Sequence, residues 1–95
     1  MTIIKICGIT TFDDALFSAN VGADMLGFNF FKRSPRYITP EDAMTICDTL
    51  RKELAESCPV LVGIFVNATD SDISIITNKV GLDAAQLSGD ESVEM

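Results

Sequence analysis

Val60-Leu61-Val62-Gly63-Ile64-Phe65-Val66 is an unbroken apolar run, opened by Pro59 and closed by the polar Asn67. β-branched and aromatic residues favour extended backbone. A strand with one wet face alternates apolar and polar residues, whereas an unbroken run reads as a strand buried on both faces, as in a parallel sheet. The segment before it predicts a helix: Thr39 is the N-cap, Pro40 takes the first position, and Glu41 and Asp42 fill the first turn. Ala43, Ile46, Cys47, Leu50 and Leu54 form its apolar stripe, where Cys47 serves as a small buried hydrophobe.

Further outward the same alternation continues. Met25-Leu26-Gly27-Phe28-Asn29-Phe30 reads as a strand and Phe31 to Ile38 as a polar loop. Ile3-Ile4-Lys5-Ile6 reads as the first strand, ending at Cys7-Gly8. A helix then carries Phe12, Ala15, Leu16 and Ala19 on one face, with Asp13 and Asp14 in its first turn and a stop at Gly22. On the C-terminal side, Asn67 to Asp70 is a turn. Asp70 or Ser71 caps a helix with Ile73, Ile76 and Val80 on one side, closed by Gly81. Ala84-Ala85-Gln86-Leu87 is the fourth strand, and Asp90 and Glu91 read as the start of a fourth helix. Strands alternating with helices imply parallel pairing and right-handed crossovers. Two architectures fit: an open doubly wound sheet, or part of a (β/α)8 barrel.

The chain has 95 residues, 47 % of them hydrophobic, and a net charge of −7. That much apolar material argues against a disordered tail. The negative charge argues against nucleic acid and against an anionic membrane surface as partners. Yet Lys32, Arg33 and Arg36 crowd three of the seven cations into one loop. The cysteines, Cys7, Cys47 and Cys58, are odd in number and lack CxxC spacing, so they form no disulfide framework. The sequence has no His, which removes His-ligated zinc sites and Cys–His nucleophile pairs. No signal peptide pattern and no apolar run near the roughly 20 residues needed to span a bilayer is present, so a reducing cytoplasmic setting is expected.

In parallel α/β folds, functional groups gather beyond the carboxyl ends of the strands. Those positions hold Cys7-Gly8, the Phe31–Arg36 loop, Asn67 and Ser88. Strand alternation puts Cys7 on the same face as Lys5, and a nearby cation favours the thiolate, the basic form of cysteine. The competing reading of Cys7 is an inert structural thiol, since no His stands by to activate it. Arg36 suits a carboxylate or phosphate through paired planar hydrogen bonds; the alternative is a solvated loop residue. Asp13, Asp14, Asp90 and Glu91 read as helix-start charges. Neither GxGxxG after the first strand nor GxxxxGK[ST] occurs, so the common nucleotide loops are absent.

Taken together, six segments in order resemble the N-terminal part of the phosphoribosylanthranilate isomerases of tryptophan biosynthesis. They are Lys5-Ile6-Cys7-Gly8-Ile9-Thr10, Asp14-Ala15, Gly22-Ala23-Asp24 leading into Gly27-Phe28-Asn29-Phe30, Ser34-Pro35-Arg36-Tyr37-Ile38, Val62-Gly63-Ile64-Phe65-Val66-Asn67, and Gln86-Leu87-Ser88-Gly89-Asp90-Glu91. The resemblance implies an α/β fold made of the first four βα units of a (β/α)8 TIM barrel, with residues 1–95 an incomplete domain. It implies an aldose–ketose isomerase that performs an Amadori rearrangement, with a phosphorylated sugar–anthranilate as substrate and no cofactor or metal. Cys7 is then the general base, taking the proton from sugar C2, and Arg36 contacts the anthranilate portion. Lys5, Asn29, Asn67 and Ser88 are further pocket candidates.

Two departures accompany the resemblance. The family's general acid, an Asp, and its phosphate grip lie in the second half of the barrel; Asp83 and Asp90 do not match that acid. Ser88 stands where the family usually has His. The 95 residues alone are therefore expected to be inactive. The alternatives are a non-catalytic half-barrel that self-associates through open strand edges, and a flavodoxin-like binding module.

Overall fold

Apolar runs become strands here because each is flanked by residues that stop it. The computed structural model describes residues 2–88. Its elements are β1 (Lys5–Cys7), α1 (Phe12–Asn20), β2 (Met25–Asn29), α2 (Pro40–Leu54), a 3₁₀ turn (Ala55–Ser57), β3 (Val60–Val66), α3 (Asp70–Val80) and β4 (Ala84–Ser88). The four strands form one parallel sheet in the order β1-β2-β3-β4. A flavodoxin-like sheet has the order 2-1-3-4-5, with its first strand internal. Here β1 has β2 as its one neighbour among the described residues, so the flavodoxin-like alternative is set aside.

Each helix begins with the same device. Thr11, Thr39 and Thr69 are N-caps whose hydroxyls accept the amides of Asp14, Asp42 and Asp72, each at 3.1 Å. One donor of each helix start is thereby satisfied, and the neighbouring Asp charge suits the positive end of the helix. The cap of α3 is Thr69, not Asp70 or Ser71 as expected from sequence. Three adjacent capping residues compete at that point, and the extended backbone of Thr69 decides the matter. The first strand also differs from expectation. Ile3 and Ile4 precede β1, because pairing with β2 starts at Lys5 opposite Met25.

A second device repeats between alternate strands. The Asp24 carboxylate accepts the Ile4 amide at 2.8 Å, while the Asp24 amide donates back to the Ile4 carbonyl at 2.8 Å. Asp83 does the same with Leu61, at 2.9 and 2.8 Å. Both follow a glycine that ends a helix segment, in Gly22-Ala23-Asp24 and Gly81-Leu82-Asp83. Gly81 closes α3 at φ +80°, a left-handed conformation that costs glycine little. The two clamps set where β1 and β3 begin relative to their neighbours, and so where their far ends emerge. Arg51 pairs with Asp83 at 3.3 Å, tying α2 to the second clamp.

The core lies between the sheet and its helices. Leu26, Phe28 and Leu61 pack against Ala43, Ile46, Cys47 and Leu50 of α2, with Leu54 partly covered beside them. Fully burying each leucine contributes about 1.5–3 kcal/mol. On the opposite face of β3, Val62 and Ile64 are buried too, so that strand is covered on both sides as its composition predicts. Stripe residues on α1 are less covered: Ala15 is buried, but Phe12, Leu16 and Ala19 only partly so. At the sheet edges, Ile3, Ile4, Ile6 and Leu87 are exposed.

Burial pushes the Cys47 thiol up to about 12, chiefly by desolvating the thiolate. An unfolded cysteine ionises near 8.5. Between those values the folded state keeps a proton that the unfolded state has lost. Stability therefore falls as pH rises from about 8.5 toward 12, by at most about 1.4 kcal/mol per pH unit from this group. Urea unfolding from pH 7 to 10.5 checks this. The decline is expected to be shallower in Cys47→Ala than in the parent chain.

Candidate functional site

The site forms where β1 and β2 end together. Parallel pairing places Cys7 beside Gly27, and Gly27 beside Val62, on one face of the sheet. A Cβ at Gly27 would come within 3.2 Å of the Cys7 Sγ and 3.0 Å of Ile64 Cδ1. The bare backbone at residue 27 is what gives the thiol its room. Cys7 itself is exposed, in contrast to the fully covered Cys47 and the half-buried Cys58. Its exposure makes it the accessible nucleophile or base among the three.

Gly8 turns the chain out of β1 at φ +84°. Its amide and that of Ile9 both donate to the Gly27 carbonyl, at 3.0 and 3.1 Å. Above it lies Arg36: a Cβ on residue 8 would sit 2.4 Å from Arg36 Cδ and 3.0 Å from Nη1. Only glycine satisfies both the left-handed turn and this close approach.

Asn29 explains how a loop residue reaches that position. Its Oδ1 accepts the Phe31 amide at 2.8 Å, and its carbonyl accepts the Ile38 amide at 3.0 Å. One residue thus pins both ends of the β2–α2 loop. Inside the loop, Ser34 Oγ accepts the Arg36 amide at 3.1 Å, and the Ser34 carbonyl accepts the Tyr37 amide at 3.1 Å. The result is an open cleft of about 260 Å³ lined by Cys7, Gly8, Asn29, Ser34 and Arg36.

Of the residues singled out from sequence, Cys7, Arg36 and Asn29 meet in this cleft. Lys5 shares a strand face with Cys7 but does not line it. Asn67 and Ser88 lie elsewhere, beside a small pocket of about 80 Å³, with the Asn67 amide donating to the Ser88 carbonyl at 3.2 Å. Asn67 adopts φ +51°, a conformation that Asn tolerates well and that turns the chain there. Gly8 and Ser34 were missed as site residues, although both flank the chemistry-bearing residues in the motifs. Lys32 and Arg33 separate from Arg36 and face a larger cavity, of about 570 Å³, against Phe30 and Phe65. The Asp90 and Glu91 helix start falls outside the described residues. Among those residues, no group of three His, Cys, Asp or Glu side chains is placed to hold a metal ion.

Chemically, the cleft offers a thiol, a guanidinium and a hydroxyl within one short arc. A planar carboxylate fits the guanidinium, and the exposed Cys7 lines the same cleft.

The family model described as N-(5'-phosphoribosyl)anthranilate (PRA) isomerase matches residues 4–95. The N-(5'-phosphoribosyl)anthranilate isomerase of Citrifermentans bemidjiense is 50 % identical over 92 residues, which is 97 % of this chain and 42 % of that protein. The crystal structure of the phosphoribosyl anthranilate isomerase from Thermotoga maritima superposes with a TM-score of 0.87 at 45 % identity, covering 99 % of this chain and 43 % of that one. A phosphoribosyl anthranilate isomerase in complex with reduced 1-(o-carboxyphenylamino)-1-deoxyribulose 5-phosphate also matches, with a TM-score of 0.87 and 45 % identity over 99 % of this chain and 46 % of that one. The chain thus spans less than half the length of the relatives it matches. Its four parallel strands with alternating helices correspond to the opening portion of the barrel those structures share, and the chain belongs to the N-(5'-phosphoribosyl)anthranilate isomerase family.

Proposed function

We propose that residues 1–95 are the N-terminal half of a (β/α)8 domain, and that the complete domain isomerises a phosphoribosylated anthranilate by an Amadori rearrangement. The observation that carries the proposal is the position of Arg36 across Gly8, in the cleft that the exposed Cys7 also lines. One cleft thereby presents a carboxylate-binding group and a base. Arg36 holds the anthranilate carboxylate by charge-assisted hydrogen bonds. The Cys7 thiolate takes the proton from sugar C2 once an acid has protonated the ring oxygen and the ring has opened to the imine. Removal of that C2 proton yields an enol-amine, which becomes the ketose on reprotonation at carbon C1. Asn29 and Ser34 position the arginine and do not exchange protons. The acid belongs to the region of the fold that this chain does not span.

The active species is placed in a reducing, cytoplasmic compartment, where Cys7 stays a free thiol. No helix among the described residues is long and apolar enough to cross a membrane. Ser88 borders a separate pocket and is assigned no proton-transfer role.

A second reading, a non-catalytic assembly module, is favoured by the sheet edges. Among the described residues β1 and β4 are the outer strands of the sheet; Ile3, just before β1, is 68 % exposed and Leu87, within β4, is 63 % exposed. Open edges with exposed apolar residues recruit further strands.

Joining this chain to the remaining segment of the Thermotoga maritima relative tests the isomerase reading. The joined protein is expected to turn over phosphoribosylanthranilate, and the 95-residue chain alone is not. Cys7→Ala in the joined protein lowers kcat by about 10²–10⁴-fold. Arg36→Met lowers kcat/KM by roughly 10–100-fold through loss of a charged hydrogen bond. A Cys7→Ala protein with parental kcat would contradict the assignment. For the edges, light scattering of the 95-residue chain is expected to show concentration-dependent association that Ile6→Lys with Leu87→Lys reduces; a clean monomer at high concentration would count against it.

A further inference from the structure

We infer that the cavity on the helix side of the β2–α2 loop is a binding site for a small aromatic carboxylate, separate from the Cys7 cleft. Its floor is a pair of stacked rings. Phe30 and Phe65 have centroids 5.5 Å apart and an interplanar angle of 25°. Gly63 leaves the rings their room: a Cβ there would lie 2.5 Å from Leu82 Cδ1, 2.9 Å from Phe65 Cε2 and 3.2 Å from Phe30 Cε2. Phe31 and Ile76 extend the apolar wall. An offset or edge-on aromatic guest gains from such a surface beyond the area it buries.

The rim supplies the charge. Lys32 and Arg33 line the cavity and are exposed. Among the described residues the ion pairs are Arg51–Asp83 and Lys79–Glu41, and neither cation belongs to them. Asp72 contributes one carboxylate to the lining. Two cations against one anion leave a net positive rim on a chain of net charge −7. A ligand with a single negative charge balances it. The volume, about 570 Å³, suits a small molecule, since ligand sites run from about 300 to 1,000 Å³ and are mainly apolar with a few polar groups.

The two sites share one loop but not one chamber. Ser34 and Arg36 face the Cys7 cleft, while Lys32, Arg33 and Tyr37 line the cavity. A guest in the cavity therefore contacts the loop that carries Arg36 without entering the Cys7 cleft. Neither the ring stack nor the cationic rim depends on the isomerase assignment.

Titrating the ¹⁵N-labelled 95-residue chain with 3-phenylpropionate, and separately with its neutral amide, tests the site. Saturable shifts are expected at Phe30, Phe31, Phe65 and Ile76, with the amide binding at least about tenfold more weakly, as for loss of a charged hydrogen bond. Lys32→Ala with Arg33→Ala should weaken the carboxylate about tenfold or more while leaving amide binding unchanged. Equal affinity for both compounds, absence of saturation, or shifts centred on Cys7, Gly8 and Asn29 would overturn the inference.

Discussion

The chemistry of this chain depends on an absence, the missing Cβ at residue 8. A side chain there would lie 2.4 Å from Arg36 Cδ and would also have to adopt φ +84°. Both penalties vanish for glycine. The guanidinium can then rest over the end of β1, next to the residue whose thiol is exposed. Gly27 has the matching role on the neighbouring strand, leaving space for the Cys7 Sγ. Gly8, just past the end of β1, and Gly27, within β2, shape the cleft by what they omit.

Behind those glycines, hydrogen bonds place the elements. The Asp24 and Asp83 clamps bind the start of one strand to the start of the next, while α2 presses its apolar stripe on Leu26, Phe28 and Leu61. Hydrophobic burial supplies the drive but has no directional preference. The clamps and ladders supply direction, so the strands emerge level and Cys7, Gly27 and Val62 share a row. Asn29 extends that order into the loop, where a free segment would leave Arg36 averaged over solvent. A single amide side chain thus carries sheet geometry into site geometry.

Much of this was legible in the residues. The unbroken run of β3 announced a strand covered on both faces, and Thr39-Pro40-Glu41-Asp42 announced α2. Cys7 and Arg36 were legible because their motifs place a thiol and a guanidinium just past strand ends. Their meeting was not, because it depends on two hydrogen bonds that Asn29 accepts, from the Phe31 and Ile38 amides on opposite sides of a loop. Asn67 and Ser88 carried the same strand-end logic and lie apart from the cleft, as does Lys5, which opens β1 and shares only a strand face with Cys7. Strand position fixes where a residue emerges, but the turn that follows decides where it goes. At Asn67 that turn is left-handed, and no periodicity records it. The split of Lys32 and Arg33 from Arg36 has the same origin: one charged cluster in sequence faces two sides of a loop in space.

Arg36 lies over Gly8, in the cleft that Cys7 lines. Nuclear Overhauser measurements on the labelled 95-residue chain address it directly. Cross-peaks are expected between the Arg36 δ-methylene protons and the Gly8 α protons, with the Phe31 and Ile38 amides protected from exchange. An Arg36 side chain showing no contact with Gly8, in a loop whose Phe31 and Ile38 amides exchange freely, would contradict it.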